Sequence, residues 1–502
     1  MCIYFKYEAL AHSKGFFNTH SMKKVCLNTT CTNIPADLYT PVGIYLRMRD
    51  KFRDTILLES NEANAGENSH SIICINAIAG IEIVNMLRGE CKYPNQNTEE
   101  FLIKQTDNVS TLLNQYMDGY EVDKPLVDEA TKAQGLFGYI SYEAVQFFDS
   151  IQLSKPSLPV TTQSTTSNNI PLIRYRLYQY VIIFNHYKDE ILLCENNIAG
   201  IESRLQQVQN IMQSKDVPQY PFALKELEEK DITDAQFLQN VEKGIAACKR
   251  GDVFQIVLSR SYTQGYTGDD FNVYRKLRSI NPGPYLFYFD YGDYVLMGSS
   301  PESKLQINNG KATIHPIAGT FKRTNHASID EALAADLQND KKENAEHTML
   351  VDLARNDLSK VCTNVKVIQY KHIQYYSHLI HMVSKVEGKI LAIQNPFAIL
   401  AAVFPAGTLS GAPKYKAMQL INDIEANNRA YYGGAIGYMG FNKTCNHAIM
   451  IRTFLSKNNK LSYRAGAGIV AASIAQQELE EVNYKLAALR SALQAANITI
   501  KV

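Results

Sequence analysis

The stretch KKENAEHTMLVDLARND, Lys341 to Asp357, sets a helix against an acidic pair, and the rest of the chain is arranged around it. Ala345, Met349, Leu350, Leu353 and Ala354 recur at helical spacing. Glu343 and Glu346 are three residues apart, so a helix carries both on one face, and Leu350 and Leu353 continue that stripe. A solvated helix face sets its charges opposite the core, whereas this acidic pair runs into an apolar stripe. That pattern suits carboxylates entering a pocket. A charged first turn favoured by the helix dipole would place the same residues on the surface.

Near the other end, QQELEEVNYKLAALRSAL carries Glu478, Glu481 and Lys485 on one stripe. Leu479, Val482, Leu486, Leu489 and Leu493 form an apolar stripe beside it and predict a firmly packed helix. Two Glu-x-x-Glu pairs from distant segments can together make a hard oxygen site. With neither thiolates nor paired histidines, such a set suits Mg²⁺ rather than zinc. The pairs alone do not decide between metal binding and surface charge.

A length of 502 residues allows two to four domains, and 45% hydrophobic content supports a sizeable core. Lys+Arg 51 against Asp+Glu 50 leaves a net charge of +1, which gives no electrostatic case for nucleic acid or an anionic membrane. The 9 cysteines show no C-x-x-C spacing and read as reduced thiols of a cytoplasmic protein. The longest apolar run, Phe397 to Phe404, is too short to span a bilayer. The first residues lack the pattern of a signal peptide, and Met22 is an alternative start that would make residues 1–21 an extension.

Along the chain, PVGIYLRMRDKFRDTILLES predicts a short helix and a strand ending at Glu59 and Ser60, with HSIICINAI as its hairpin partner. Residues 154–169 are polar, of low complexity, and read as a mobile loop. IPLIRYRLYQYVIIFN and EILLCEN predict paired strands. The proline-containing stretch 215–222 marks a domain boundary. Beyond it, Thr233 and Gln236 fit a capping box for a helix stopped by Gly251. VFQIVLSR is a strand, KATIHPIAGTFKR ends in a Gly-Thr turn, and YYSHLIHMVSKVEGKI is a strand bearing His378 and His381. PAGTLSGAPK is a turn whose backbone N–H groups can meet an anion at a helix N-terminus. Neither a phosphate-loop nor a Rossmann pattern is present.

The motifs GDVFQIVLSR, GSSPE, PIAGTFKR, ENAEHTMLVDLARND, YSHLIHMVS, PAGTLSGAPK, YYGGAIGY and IRTF occur in that order. In this the chain resembles the chorismate-utilising enzymes, and within them component I of the anthranilate synthases, across residues 40–490. The resemblance implies an α/β (α+β) fold with an antiparallel β-sandwich core flanked by helices, in two interleaved domains. Residues 22–222 would be a tryptophan-binding regulatory region and 223–502 the chorismate-binding catalytic domain.

It further implies that Glu346, Glu478 and Glu481 ligate Mg²⁺, with Glu343 beside them as the acid that protonates the departing C4 hydroxyl. His381 is linked to pyruvate elimination. Thr320, Thr408, Gly411, Ala412, Tyr432, Arg452, Gly466, Gly468 and Lys485 match substrate positions, Arg452 and Lys485 as carboxylate binders. Gln255 stands where water-using relatives carry a lysine, and a glutamine amide is no base. Ala318 stands where many aminodeoxychorismate synthases carry a nucleophilic lysine. Ammonia then attacks directly and the product is anthranilate, whereas relatives without that lysine can also make aminodeoxychorismate. A chain that only senses tryptophan would not need the intact set of acids. Ammonia would come from a glutamine amidotransferase subunit, component II, because the chain lacks a G-x-C-x-G elbow. Glu59, Ser60, Pro284, Tyr285 and Leu286 match positions that bind the inhibitor tryptophan. Gly283 and Leu286 replace the usual serine and methionine, and the second exchange conserves volume.

Overall fold

Two long strands, rich in the β-branched and aromatic residues that suit a pleated surface, organise the molecule. In the computed structural model, His70–Ile83 and Ile173–Asn185 pair antiparallel along their whole length, from His70 opposite Asn185 to Ile83 opposite Ile173. Their register shifts between Ala77 and Ala79, next to Asn76 at φ 61°. A bulge of this kind bends a strand and sharpens its twist. On one side of the bend the pair is flanked by Thr55–Glu59 and Glu190–Asn197, and on the other by Arg88–Lys92 and Gly135–Ile140. One strand pair therefore serves two sheets. The structure describes residues 24–60, 69–94, 97–153, 170–324, 326–375, 379–391 and 395–497.

The first sheet runs Val25–Pro35, Glu190–Asn197, the shared pair, Thr55–Glu59, Tyr285–Asp290, Val295–Ser300, Thr453–Lys457, Lys460–Ile469, Gln255–Gly268 and Phe222–Lys230. The second leaves the pair through Gly135–Ile140, Ala435–Gly440, Cys445–Ile449, Ser303–Asn308 and Lys311–Ile314. It ends at Leu379–Ile390, which Ile317–Lys322 and Cys362–Tyr375 flank. Ile56, Phe287 and Leu296 of the first sheet share a buried cluster with Phe137, Ile436 and Ala448 of the second. The helices Asp234–Arg250, Phe271–Ile280 and Ala475–Ala496 cover the outer face of the first sheet. Val109–Asp118, Lys341–Ser359 and Pro396–Val403 cover the second. The fold is a mixed helix and strand architecture around a large antiparallel sheet system, as the sequence implies.

The stretch 215–222, where the sequence places a boundary, holds neither helix nor strand until Phe222 opens one, yet each sheet draws strands from both sides of it. The Thr233–Gln236 capping box forms, and Gly251 closes that helix at φ 81°. The Gly-Thr turn expected at 319–320 does not. Those residues lie inside the strand Ile317–Lys322, where Gly319 at φ 74° sits in a shift of register and lets the strand continue past a bulge. The PAGTLSGAPK turn is also more ordered than expected. Gly407–Ser410 forms a single helical turn and Gly411–Ala412 pairs with Gln255–Ile256. The extension 1–21, the loop 154–169 and His378 lie outside the described residues. No described helix is long and apolar enough to cross a membrane.

Gly138 joins both flanking strands, opposite Gly437 and Tyr175, and a Cβ there would meet the Arg174 carbonyl oxygen at 1.9 Å. A clash with backbone cannot be relieved by a rotamer change. Gly138→Ala is expected to cost about 2–4 kcal/mol in urea unfolding, against about 1 kcal/mol for Gly251→Ala, whose Cβ meets nothing within 4 Å.

Candidate active site

The acidic helix spans Lys341–Ser359, capped by Asp340, whose carboxylate accepts the Glu343 N–H at 2.9 Å. Leu350, Val351, Ala354 and Leu358 are buried, which fixes the helix and leaves Glu343 and Glu346 half-buried at its first turns. They are not surface decoration. Glu346 Oε1 accepts a hydrogen bond from Gln255 Nε2 at 2.9 Å. Glu343 lies against Gly319, where a Cβ would come within 3.2 Å of its Oε2. His381 belongs to the neighbouring strand, opposite Thr320, and its Nδ1 is 3.4 Å from the Gly319 carbonyl oxygen. Burial, with Arg452 close by, pulls the His381 pKa down to about 4, so its imidazole is neutral at pH 7.

The second acidic helix, Ala475–Ala496, buries Leu479, Val482, Leu486, Leu489 and Leu493 as its periodicity requires. Glu478 is buried in its first turn. One turn on, Glu481 Oε1 pairs with Lys485 Nζ at 2.7 Å, and Lys485 also donates to the Gly466 carbonyl at 3.0 Å. Gly466 and Gly468 lie on one strand, opposite Ser259 and Val257. A Cβ at Gly468 would sit 2.7 Å from Gln255 Nε2, and one at Gly466 2.7 Å from the Leu258 carbonyl oxygen. Bare backbone at Gly468 leaves room for Gln255 and Glu346, and bare backbone at Gly466 lets its strand pair closely with Gln255–Gly268. Among the described residues no group of three or more His, Cys, Asp or Glu is gathered closely enough to form a ligand cluster. The donors that reach this strand are carboxylates, whose chemistry suits a hard divalent cation.

Gln255 is 2% exposed, and its Oε1 has no hydrogen-bond partner among the described residues. Such an acceptor is costly to bury unless a donor arrives. Tyr432 is buried, its hydroxyl reaching the Gly466 backbone. Arg452, at φ 49°, donates to Asn281 Oδ1 at 3.0 Å and enters no ion pair among the described residues. Burial lowers its pKa, which favours a carboxylate arriving beside it. Thr320 is placed next to His381 through its backbone.

Glu302 escaped the sequence reading, although it closes the quoted GSSPE motif. It is 9% exposed, and Thr408 Oγ1 donates to its two oxygens at 3.1 and 3.3 Å. Burial pushes its pKa up to about 7, against the opposing pull of Thr408, Lys304 and Lys485. A lone glutamate between two strands carries no periodic signal, so only its burial identifies it. Lys304, also buried, donates to the Val403 carbonyl and is brought down to about 7 by burial and by Lys414.

The effector candidates gather elsewhere. Glu59, Ser60, Pro284, Tyr285 and Leu286 line one cavity of about 1150 Å³, to which none of the acidic-helix glutamates contributes. Glu59 stands opposite Leu286 and accepts from Tyr274 at 2.7 Å and from Arg278 Nε at 2.8 Å. A Cβ at Gly283 would come within 2.9 Å of Ser299 Oγ, which accounts for glycine there. Asn281, which holds Arg452, begins the same NPGPYL segment.

Comparison with known proteins gives a consistent picture. The model of the family described as chorismate binding enzyme matches residues 68–491. The chain is 33% identical to anthranilate synthase component 1 of Acetivibrio thermocellus over 484 residues, covering 92% of this chain and 94% of that one. It is 32% identical to the Lactococcus lactis component 1 over 465 residues, covering 90% and 97%. The crystal structure of anthranilate synthase component I from Streptococcus pneumoniae superposes with a TM-score of 0.71 at 30% identity, covering 91% and 99%. The menaquinone-specific isochorismate synthase of Escherichia coli, at 17% identity, TM-score 0.68 and coverage of 94% and 96%, shares the fold.

Glu302 should hold its proton below pH 7 and lose it above. Infrared difference spectra are expected to show a carboxylic C=O band that disappears with a midpoint about 7 and is absent in Glu302→Gln. Thr408 stabilises the carboxylate, so Thr408→Val should move that midpoint upward.

Proposed function

The chain belongs to the chorismate binding enzyme family, and from that premise we propose that it aminates chorismate with ammonia to give anthranilate and pyruvate. The observation that carries this reading is Gln255, buried against Glu346 with its carbonyl oxygen meeting no donor among the described residues. An amide oxygen accepts an N–H of ammonia but cannot deprotonate water. Ala318 offers no nucleophile of its own.

Chorismate is a dicarboxylate, and Arg452 and Lys485 supply cationic partners for it. Mg²⁺, held by Glu346, Glu478 and Glu481, would add positive charge for the substrate carboxylate. Ammonia attacks C2, the ring double bond shifts, and the C4 hydroxyl leaves. Hydroxide is a poor leaving group, so the oxygen takes a proton and departs as water. We assign that proton to Glu302, because burial keeps it protonated near neutrality. Glu343, given this role by the family resemblance, lies against Gly319, whose carbonyl oxygen meets His381, and is the second candidate. In the following elimination neutral His381 accepts the C2 proton, the ring–oxygen bond breaks to expel the enolate of pyruvate, which takes a proton from water at its methylene carbon, and the ring becomes aromatic.

At neutral pH most ammonia is ammonium, so a glutaminase subunit, component II, is the proposed supplier. The cavity at Glu59, Ser60, Pro284, Tyr285 and Leu286 is the proposed site of feedback inhibition by tryptophan. Its route to the catalytic residues is Asn281, which stands on the cavity's own segment and grips Arg452. A ligand acts this way only if it binds two arrangements of that segment unequally.

Incubating the chain with chorismate, Mg²⁺ and excess ammonia at alkaline pH should yield anthranilate and pyruvate in equal amounts. Accumulation of 4-amino-4-deoxychorismate would overturn the product assignment, and no turnover would overturn the catalytic one.

A further inference from the structure

The cavity that holds Glu59 and Ser60 also admits a cation that no motif marks. Lys132 sits on the short helix Asp128–Ala133 and lines that cavity. Its Nζ is 2.9 Å from His70 Nε2, and the His70 carbonyl accepts the Ser60 N–H at 3.1 Å. Lys132 is therefore one residue removed from the effector candidates by a continuous path of hydrogen bonds.

The charge of Lys132 is poorly compensated. It is half-buried and in no ion pair among the described residues. Glu129, the carboxylate that acts on it, is itself paired with Lys188 at 3.1 Å. Burial lowers the Lys132 pKa in spite of Glu129. A half-desolvated ammonium set against an imidazole nitrogen gains much from an incoming carboxylate, because charge-assisted bonds are the strong ones. Ile72, Pro284, Leu286 and Phe287 supply apolar wall to the same cavity. Its volume of about 1150 Å³ is ample for a small amphiphile. The cavity's other lysine, Lys443, is exposed.

We propose that Lys132, steadied by His70, anchors the carboxylate of the effector, so that the cavity selects a free aromatic α-amino acid over the corresponding amine. This rests on the effector reading given above. It adds the residue that reads the carboxylate.

The chain contains no tryptophan, so fluorescence anisotropy of L-tryptophan, excited where tyrosine does not absorb, reports its binding to the full chain directly. The unaltered chain should bind tryptophan and discriminate against tryptamine by on the order of 100-fold, the worth of a charge-assisted bond. Lys132→Met should weaken tryptophan by a similar factor and abolish that discrimination, with thermal unfolding and uninhibited turnover unchanged. Lys132→Arg should restore part of it, and Lys443→Met should bind as the unaltered chain does. Undiminished binding and discrimination in Lys132→Met would overturn the role of Lys132. Failure of the unaltered chain to bind tryptophan at all would overturn the effector reading beneath it.

Discussion

The antiparallel ladder between Gln255–Gly268 and Lys460–Ile469 is the constraint on which the active site depends. It holds Gln255 where a Cβ at Gly468 would intrude, and from there Gln255 grips Glu346 of one acidic helix. Two residues along the same strand, the Gly466 carbonyl holds Lys485 of the other, and Lys485 holds Glu481. A side chain at Gly468 would displace Gln255 and crowd Glu346. Glu302 in the connection after Val295–Ser300 meets Thr408 of the helical turn Gly407–Ser410, and Arg452, just before Thr453–Lys457, stands close to His381.

Much of this was legible in the sequence wherever a period or a cap carries the information. The heptad-like leucines of 479–493 are buried as a set, Thr233 and Gln236 cap as read, and the three-residue spacing of Glu343 and Glu346 puts both on the inner side of their helix. Non-local arrangements were not legible. Nothing around Asn76 announces that one strand pair will feed two sheets, because a bulge is one residue of register. Gly319-Thr320 resembled a turn since glycine at positive φ serves turns and bulges alike. Glu302 was invisible for a different reason: its pKa near 7 comes from burial, and no spacing encodes burial.

The site and the effector cavity are joined by little material. Glu59 pairs with Leu286 across the first sheet, and a few residues earlier Asn281 reaches Arg452. Arg452 occupies left-handed backbone at φ 49°, and its guanidinium donates to Asn281 and enters no ion pair among the described residues, so its position depends on Asn281. A small displacement of the 281–286 segment would move Arg452. In the proposed function this hydrogen bond is the route from an effector beside the Thr55–Glu59 strand to Arg452.

The central claim is that two acidic pairs, far apart in the chain, act as one site. Calorimetric titration of the full chain with Mg²⁺ tests it without relying on turnover. The account predicts a single saturable site in the unaltered chain, lost in Glu346→Gln and equally in Glu481→Gln, although these residues stand on different helices. Undiminished binding in either variant would contradict it.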